Sequence, residues 1–271
     1  MNQRKSLKEL NLLDKFLFDE AMDDPENVKT MLDIILSQNT NLKHPPQTEK
    51  EQRTSTDNRQ IRLDVYAIDE DDVIYEVEAQ KENTHNLPKR SRLYQGIIDS
   101  KLLPPGVVDF NLLNEVLIVL IMPFDLFGYG LYRYTFQMKC EEVPELKLDD
   151  GATRIFLNTR GKHPELVSPE LIELLKYMEH STDEISEACE SKRIQEMHRR
   201  VCQIKASEKA EVKYMQTWEE KILIKQEGER IGLERINRLN QKLIEQGRFD
   251  DLTKATSDSN YQKKLLKEFK I

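Results

Sequence analysis

The spacing of apolar and polar positions changes several times along the chain, and each change marks an element. In residues 11–36, "NLLDKFLFDEAMDDPENVKTMLDIIL", a first apolar cluster is followed by "DDPEN" and then by Val28, Met31, Leu32 and Ile35 at helical spacing. Asp24 followed by Pro25 is a helix start, because the aspartate caps free N–H groups and proline gives up none that the helix needs. Two helices are therefore predicted. Residues 37–60 are polar and interrupted by "HPP" and "TSTDNRQ", which reads as a loop or a ragged edge strand. Residues 61–68 and 73–80 alternate, are rich in β-branched side chains and flank "DEDD", the pattern of a hairpin.

The next stretch, "LPKRSRLYQGIIDSKLL", sets Leu93, Ile97 and Leu102 near helical spacing, and Pro104-Pro105-Gly106 closes the helix. "EVLIVLIM" follows as an unbroken apolar strand, the mark of a strand covered on both faces. Strand, helix and buried strand in succession predict a right-handed crossover between parallel neighbours. "LYRYTFQM" and "TRIFLN" are two further strands. Beyond His163-Pro164 the composition turns to Glu, Lys, Arg and Gln, and proline is absent after Pro169. That region reads as helix almost throughout, ending in a short helical pair over "RFDDLTKATSDSNYQKKLLKEFKI". The expected organisation is an α/β domain over residues 1–165 and an all-α tail over residues 166–271. The tail reads either as a dimerisation or DNA-positioning arm or as a bundle packed on the first domain. Val201, Ile204, Val212 and Met215 make a partial seam, too short for a coiled coil.

Composition narrows the partners. The longest apolar run, Val116–Phe124, is too short to span a bilayer, and "MNQRKSLKEL" lacks the apolar core of a secretory signal. A soluble, cytoplasmic protein without a membrane partner is expected. Cys140, Cys189 and Cys202 are widely spaced, form no metal pattern and read as reduced structural thiols. Histidines 44, 85, 163, 180 and 198 contain no i, i+4 pair, so no zinc site is expected. "GYG" at 128–130 reads as a turn between strands, not a phosphate loop. The formal net charge is −8, and the first 164 residues carry 21 Lys and Arg against 28 Asp and Glu, a net of −7. An acidic α/β part suits a cation-dependent site better than a passive phosphate binder.

Within the hairpin, "YEVEAQ" raises the chemical question. Alternation puts Glu76, Glu78 and Gln80 on one face of their strand, and Arg62, Asp64 and Tyr66 on one face of the other. With the four-residue loop "DEDD", Ile68 pairs with Val73 and Asp64 opposes Val77. A five-residue loop or a bulge brings Asp64 opposite Glu78. Two facing carboxylates repel unless a positive charge lies between them, and a hard divalent ion with oxygen ligands is a natural occupant. The bland alternative is a solvated, charged strand face.

The combination "RLDVYAID…VIYEVEAQ", "KRSRLYQGIIDSKLLPPGVVDF" and "VLIVLIMPFDLFGYGLYRYTF" resembles the PD-(D/E)XK nuclease family transposases, the Rpn family of recombination-promoting nucleases. The resemblance runs through most of the α/β part and continues less sharply into the helical tail. It implies a restriction-endonuclease-like α/β fold, a mixed sheet flanked by helices, and Mg²⁺-dependent hydrolysis of DNA phosphodiesters, with Mn²⁺ as a substitute ion. Asp64 and Glu78 would be catalytic metal ligands, and Gln80 the third motif residue. The motif's name calls for lysine there; an amide offers a dipole but no charge. Arg90, Tyr94 and Asp99 match an R-x-x-x-Y-plus-acid pattern on the following helix.

Arg62, Arg90 and Tyr94 are the candidate nucleic-acid contacts, each with a bland counterpart: ion pairing for the arginines, core packing for Tyr94. Glu76 is expected to be solvated, and Asp14 to be a helix surface residue. The alternative to an enzyme is a catalytically inactive nuclease fold acting as a nucleic-acid-binding or oligomeric module, with a homodimer through the helical tail.

Overall fold

The computed structural model describes residues 5–52 and 61–271. The two predicted N-terminal helices form as α1 (Lys15–Met22) and α2 (Pro25–Leu36). The Asp24 carboxylate accepts from the Glu26 N–H, and Pro25 opens α2, as the Asp-Pro pair predicts. The polar stretch after α2 yields a strand, β1 (Gln47–Gln52); its remainder, 53–60, lies outside the described residues. Then follow β2 (Ile61–Ile68), β3 (Ile74–Ala79), α3 (Leu87–Asp99), β4 (Val116–Met122), β5 (Arg133–Phe136) and β6 (Ala152–Asn158).

These strands make one mixed sheet in the order β1-β2-β3-β4-β6-β5. The first three run antiparallel, β3 pairs parallel with β4 across α3, β4 pairs parallel with β6, and β5 returns antiparallel on the edge. Every residue of β4 except Leu117 is buried, so the unbroken apolar run is indeed a strand covered on both faces. On one face Tyr66, Ile74, Ile118, Leu120 and Phe156 join Leu87, Tyr94, Ile97 and Ile98 of α3 in a single apolar cluster. The alternate positions Val65, Ala67, Val77, Val119, Ile121 and Leu157 are buried as well. The "PFDLFGYG" segment is a turn, gripped by one carboxylate. Asp125 accepts from the N–H groups of Phe127, Gly128 and Gly130 and from the Tyr134 hydroxyl.

The hairpin register is set by a second carboxylate, the buried Asp69. Ile68 pairs with Ile74, which leaves five residues between the strands. Asp69 Oδ1 accepts from the N–H groups of Asp71 and Val73 (3.0 and 2.9 Å), and Oδ2 accepts from the Tyr75 hydroxyl at 2.7 Å. Asp72 takes the left-handed conformation (φ 62°) that ends such a turn. The ladder therefore pairs Val65 with Val77 and carries Asp64 to the place facing Glu78. Asp69→Ala removes three charge-assisted hydrogen bonds and leaves their donors unpaired. It is expected to destabilise the protein by roughly 2–4 kcal/mol in denaturant unfolding. A loss below about 0.5 kcal/mol would show that the turn holds its register without Asp69.

After β6 come α4 (Pro169–Glu179), α5 (Asp183–Ala188), α6 (Lys192–Lys205), α7 (Glu208–Glu245), α8 (Phe249–Ser257) and α9 (Ser259–Glu268). The change of composition near residue 165 is not the edge of a compact unit, because α4 packs on α2 and α6 packs on both α1 and α2. The chain divides into Met1–Glu211 and Val212–Ile271. Within the second unit, Leu239, Leu243, Ala255 and Leu265 form a small core, with Leu252, Tyr261 and Phe269 packed around it. Gly247, at φ 68°, closes α7 by letting the Arg248 N–H reach the Leu243 carbonyl. The seam Val201–Ile204–Val212–Met215 is interrupted, since α6 ends at Lys205 and α7 begins at Glu208. Val201 is buried while Val212 and Met215 are exposed. Among the described residues, no helix is long and apolar enough to cross a membrane.

Candidate active site

Alternation on β2 and β3 turns Asp64, Glu76 and Glu78 toward the same layer, in which Tyr66 pairs with Glu76 and Glu76 with Ile118. All three acids are buried, at 6%, 0% and 7% exposure. The solvated strand face, and a solvated Glu76 in particular, are thus corrected: the extra acid lies inside an apolar layer. α1 and α3 bring the positive charges. Lys15 Nζ reaches Asp64 Oδ1 at 2.5 Å and Asp19 Oδ2 at 3.1 Å. Arg90 Nη2 donates to Glu78 Oε1 at 2.6 Å and to Gln80 Oε1 at 2.5 Å. Gln80 also donates from Nε2 to the Glu82 carbonyl, so its amide is fixed at both ends.

Of the charged groups named, Asp19, Asp64, Glu76 and Glu78 are four acids against two cations, Lys15 and Arg90. Full ionisation would leave two negative charges in a nearly dry layer. The molecule responds with protons. Burial, with Asp64 adding to it against the opposing pull of Lys15, raises the Asp19 carboxyl to about 7. Burial likewise raises Glu78 to about 7, Asp64 adding and Arg90 opposing. Glu76 lies well above the ordinary carboxylate range, through burial and then the neighbouring Glu78 and Asp64 charges. Three of these carboxylate oxygens, both of Glu76 and Oε2 of Glu78, are buried without a hydrogen-bond partner.

A raised carboxyl pKa means that the folded state holds protons the unfolded state has lost. The stability this confers is complete below the unfolded values near 4 and is lost as pH rises toward about 7. The metal-free protein should accordingly melt several degrees lower at pH 8 than at pH 5.5. A thermal melt series followed by circular dichroism checks this, and a melting temperature that rises across the interval would contradict the charge count.

The remaining sequence candidates fall into place around this layer. Arg62 is exposed and paired with Glu49 and Glu51 of β1 at 3.1 and 3.3 Å. Tyr94 is buried in the α3 cluster, its ring 5.9 Å from the Arg90 guanidinium carbon. Asp99 accepts from Gln95 Nε2 at 2.9 Å, away from the other acids. Asp14 sits just before α1, bonded to the Asn11 N–H and ion-paired with Lys81. Sequence reasoning missed Lys15 and Asp19. Their i, i+4 spacing on the first predicted helix was the available signal.

Buried carboxylates with three unpartnered oxygens are hard donors that fit Mg²⁺ or Mn²⁺. Asp64 and Glu78 are nonetheless each held by an internal cation. Among the described residues, the group that converges within 4.8 Å is instead Asp183, His198 and Cys202. No family model matches the chain, and no curated protein and no solved structure matches it. What the fold defines is an α/β protein with a six-stranded mixed sheet, flanking helices and a helical C-terminal region.

Proposed function

We propose that this protein is a metal-dependent phosphodiesterase acting on DNA, built on a restriction-endonuclease-like arrangement. The observation that carries the reading is Asp64 facing Glu78 across the β2–β3 ladder, in a buried layer that full ionisation would leave two positive charges short of neutrality. Asp64 and Glu78 would hold a Mg²⁺ ion, with Glu76 compensating its charge from the same face. When bound, the ion supplies a lowered pKa for water and neutralisation of charge at the phosphate. Asp64 would have to leave its pair with Lys15 to hold the ion, and the Lys15 side chain, 39% exposed, would then face solvent.

Gln80 lacks the charge of the motif lysine, and Arg90 answers that lack. Its guanidinium lies on both Glu78 and Gln80, which supports the reading by setting a positive charge beside the amide. The Gln80 carbonyl keeps a second lone pair, which can accept from a water and orient it. Nothing in this pair can take a proton as a base near neutrality, so the proton of an attacking water would pass to solvent.

A second reading has its own observation. Lys15 and Arg90 already neutralise Asp64 and Glu78, which is how an inactive descendant would settle its former site. Nicking of supercoiled plasmid with and without Mg²⁺ or Mn²⁺ separates the two. Ion-dependent nicking by the wild type that is lost in Glu78→Ala supports the enzyme. A plasmid left intact by wild type under all ions leaves the inactive module.

A further inference from the structure

We propose that Asp183, His198 and Cys202 form a mononuclear binding site for a borderline divalent transition metal, Zn²⁺, separate from the sheet acids. His198 and Cys202 lie one turn apart on α6, and Asp183 opens α5, which packs against it. Three different ligand atoms converge: Cys202 Sγ lies 3.3 Å from His198 Nε2 and 3.8 Å from Asp183 Oδ1, and Asp183 Oδ1 lies 2.8 Å from Nε2. With Zn–S, Zn–N and Zn–O bonds of ordinary length, tetrahedral ligand pairs stand roughly 3.4–3.7 Å apart. Two of the three separations are already within about 0.3 Å of that range. The third is short by about 0.6 Å, and it belongs to Asp183, the exposed member, which is free to move outward.

The histidine is oriented for a ligand. Its Nδ1 meets the Tyr177 hydroxyl at 2.9 Å, inside a fully buried tyrosine ring packed edge-on to the imidazole. Without a metal, the 2.8 Å contact of Nε2 with Asp183 Oδ1 needs a proton on Nε2; a bound metal would take that proton's place, and Nδ1 would then donate to Tyr177, the arrangement of the non-ligating nitrogen in metal-bound histidines. A Cys–His–Asp nucleophile is the competing reading, and the geometry counts against it. Such a triad uses opposite ring nitrogens for thiol and carboxylate, whereas here Asp183 meets Nε2, Tyr177 holds Nδ1, and the thiol lies 3.3 Å from Nε2 and 3.9 Å from Nδ1. A cavity of about 390 Å³, bordered by Lys8, Thr182 and Lys205, adjoins the three ligands and leaves room for a fourth, exchangeable one. The thiol proton passes to solvent as the metal binds.

The test uses the full chain, reduced and stripped with chelator, then titrated with Zn²⁺ or Co²⁺. One equivalent of Zn²⁺ should be retained on dialysis, and the Co²⁺ form should show a thiolate-to-cobalt charge-transfer band in the near ultraviolet. Cys202→Ser should abolish the band, and Asp183→Ala, at an exposed position that cannot unfold the core, should weaken Zn²⁺ binding. Tyr177→Phe, which removes only the outer-shell hydroxyl, should weaken it by about 10–100-fold. No retained metal, a band that survives Cys202→Ser, or unchanged affinity in Asp183→Ala would each overturn the site.

Discussion

Asp64→Asn should lower Mg²⁺-dependent nicking by more than about 100-fold while the protein remains folded, since losing even an outer-shell partner of a metal ligand costs 10–100-fold. The variant keeps the shape of the side chain and a carbonyl oxygen that can still accept from Lys15. What it removes is one of the charges that would draw a divalent ion into a layer otherwise enclosed by Tyr66, Ile118 and Tyr94. The combined readout matters. If the Lys15–Asp64 pair were purely structural, the substitution would reduce stability and leave the ion dependence of any residual nicking unchanged. Activity lost with the melting temperature held, together with a weaker apparent Mg²⁺ affinity, is the expected pattern. Wild-type rates in Asp64→Asn would remove Asp64 from the site.

Glu76→Gln should stabilise the metal-free protein at pH 8 by about 1–3 kcal/mol relative to its effect at pH 4, because each unit by which a carboxyl pKa is raised on folding costs about 1.4 kcal/mol once the unfolded chain has released the proton. Both Glu76 oxygens are buried without partners, and burial together with Glu78 and Asp64 holds its pKa far up. At pH 8 the unfolded chain has released this proton while the folded chain retains it or carries an unpaired charge. Either way the wild type loses stability as pH rises above the unfolded value. Glutamine has no proton to lose, so the gain should shrink toward zero at pH 4, where the carboxyl is protonated in both states. For a protein of this size the shift corresponds to about 2–4 °C per kcal/mol. Paired thermal melts of wild type and variant at the two pH values measure it. A variant that melts below wild type at pH 8 would mean that ionised Glu76 is favourably paired, contrary to the charge count.

The elements were legible because their signals are local. Helical spacing after Asp24-Pro25, the alternation on either side of "DEDD", and the unbroken "EVLIVLIM" each depend on a few neighbouring residues, and each element formed where its pattern lies. The two acids of the hairpin were equally visible, as was their choice between facing Val77 and facing each other. That choice was not legible. It turns on the Asp69 carboxylate folding back onto two backbone N–H groups and a tyrosine hydroxyl, a contact that alternation does not encode. The convergence of Asp183, His198 and Cys202 was not legible, because zinc spacing is usually looked for between pairs of histidines. His198-x-x-x-Cys202 carried part of the signal, and Asp183 joins them only when α5 packs on α6.

By itself, then, the sequence determined the order and kind of the elements and the acidic character of the β2–β3 face, since period and composition act over a turn or a strand. The tertiary structure alone decided the register that opposes Asp64 to Glu78 and the burial of Glu76 beneath α3. It also decided the arrival of Lys15 and Arg90 from two separate helices. The physical reason is range: a carboxylate's charge state depends on how much water remains around it and which charges stand within a few ångströms. Those neighbours are 10 to 50 residues away along the chain and meet only when the layers close.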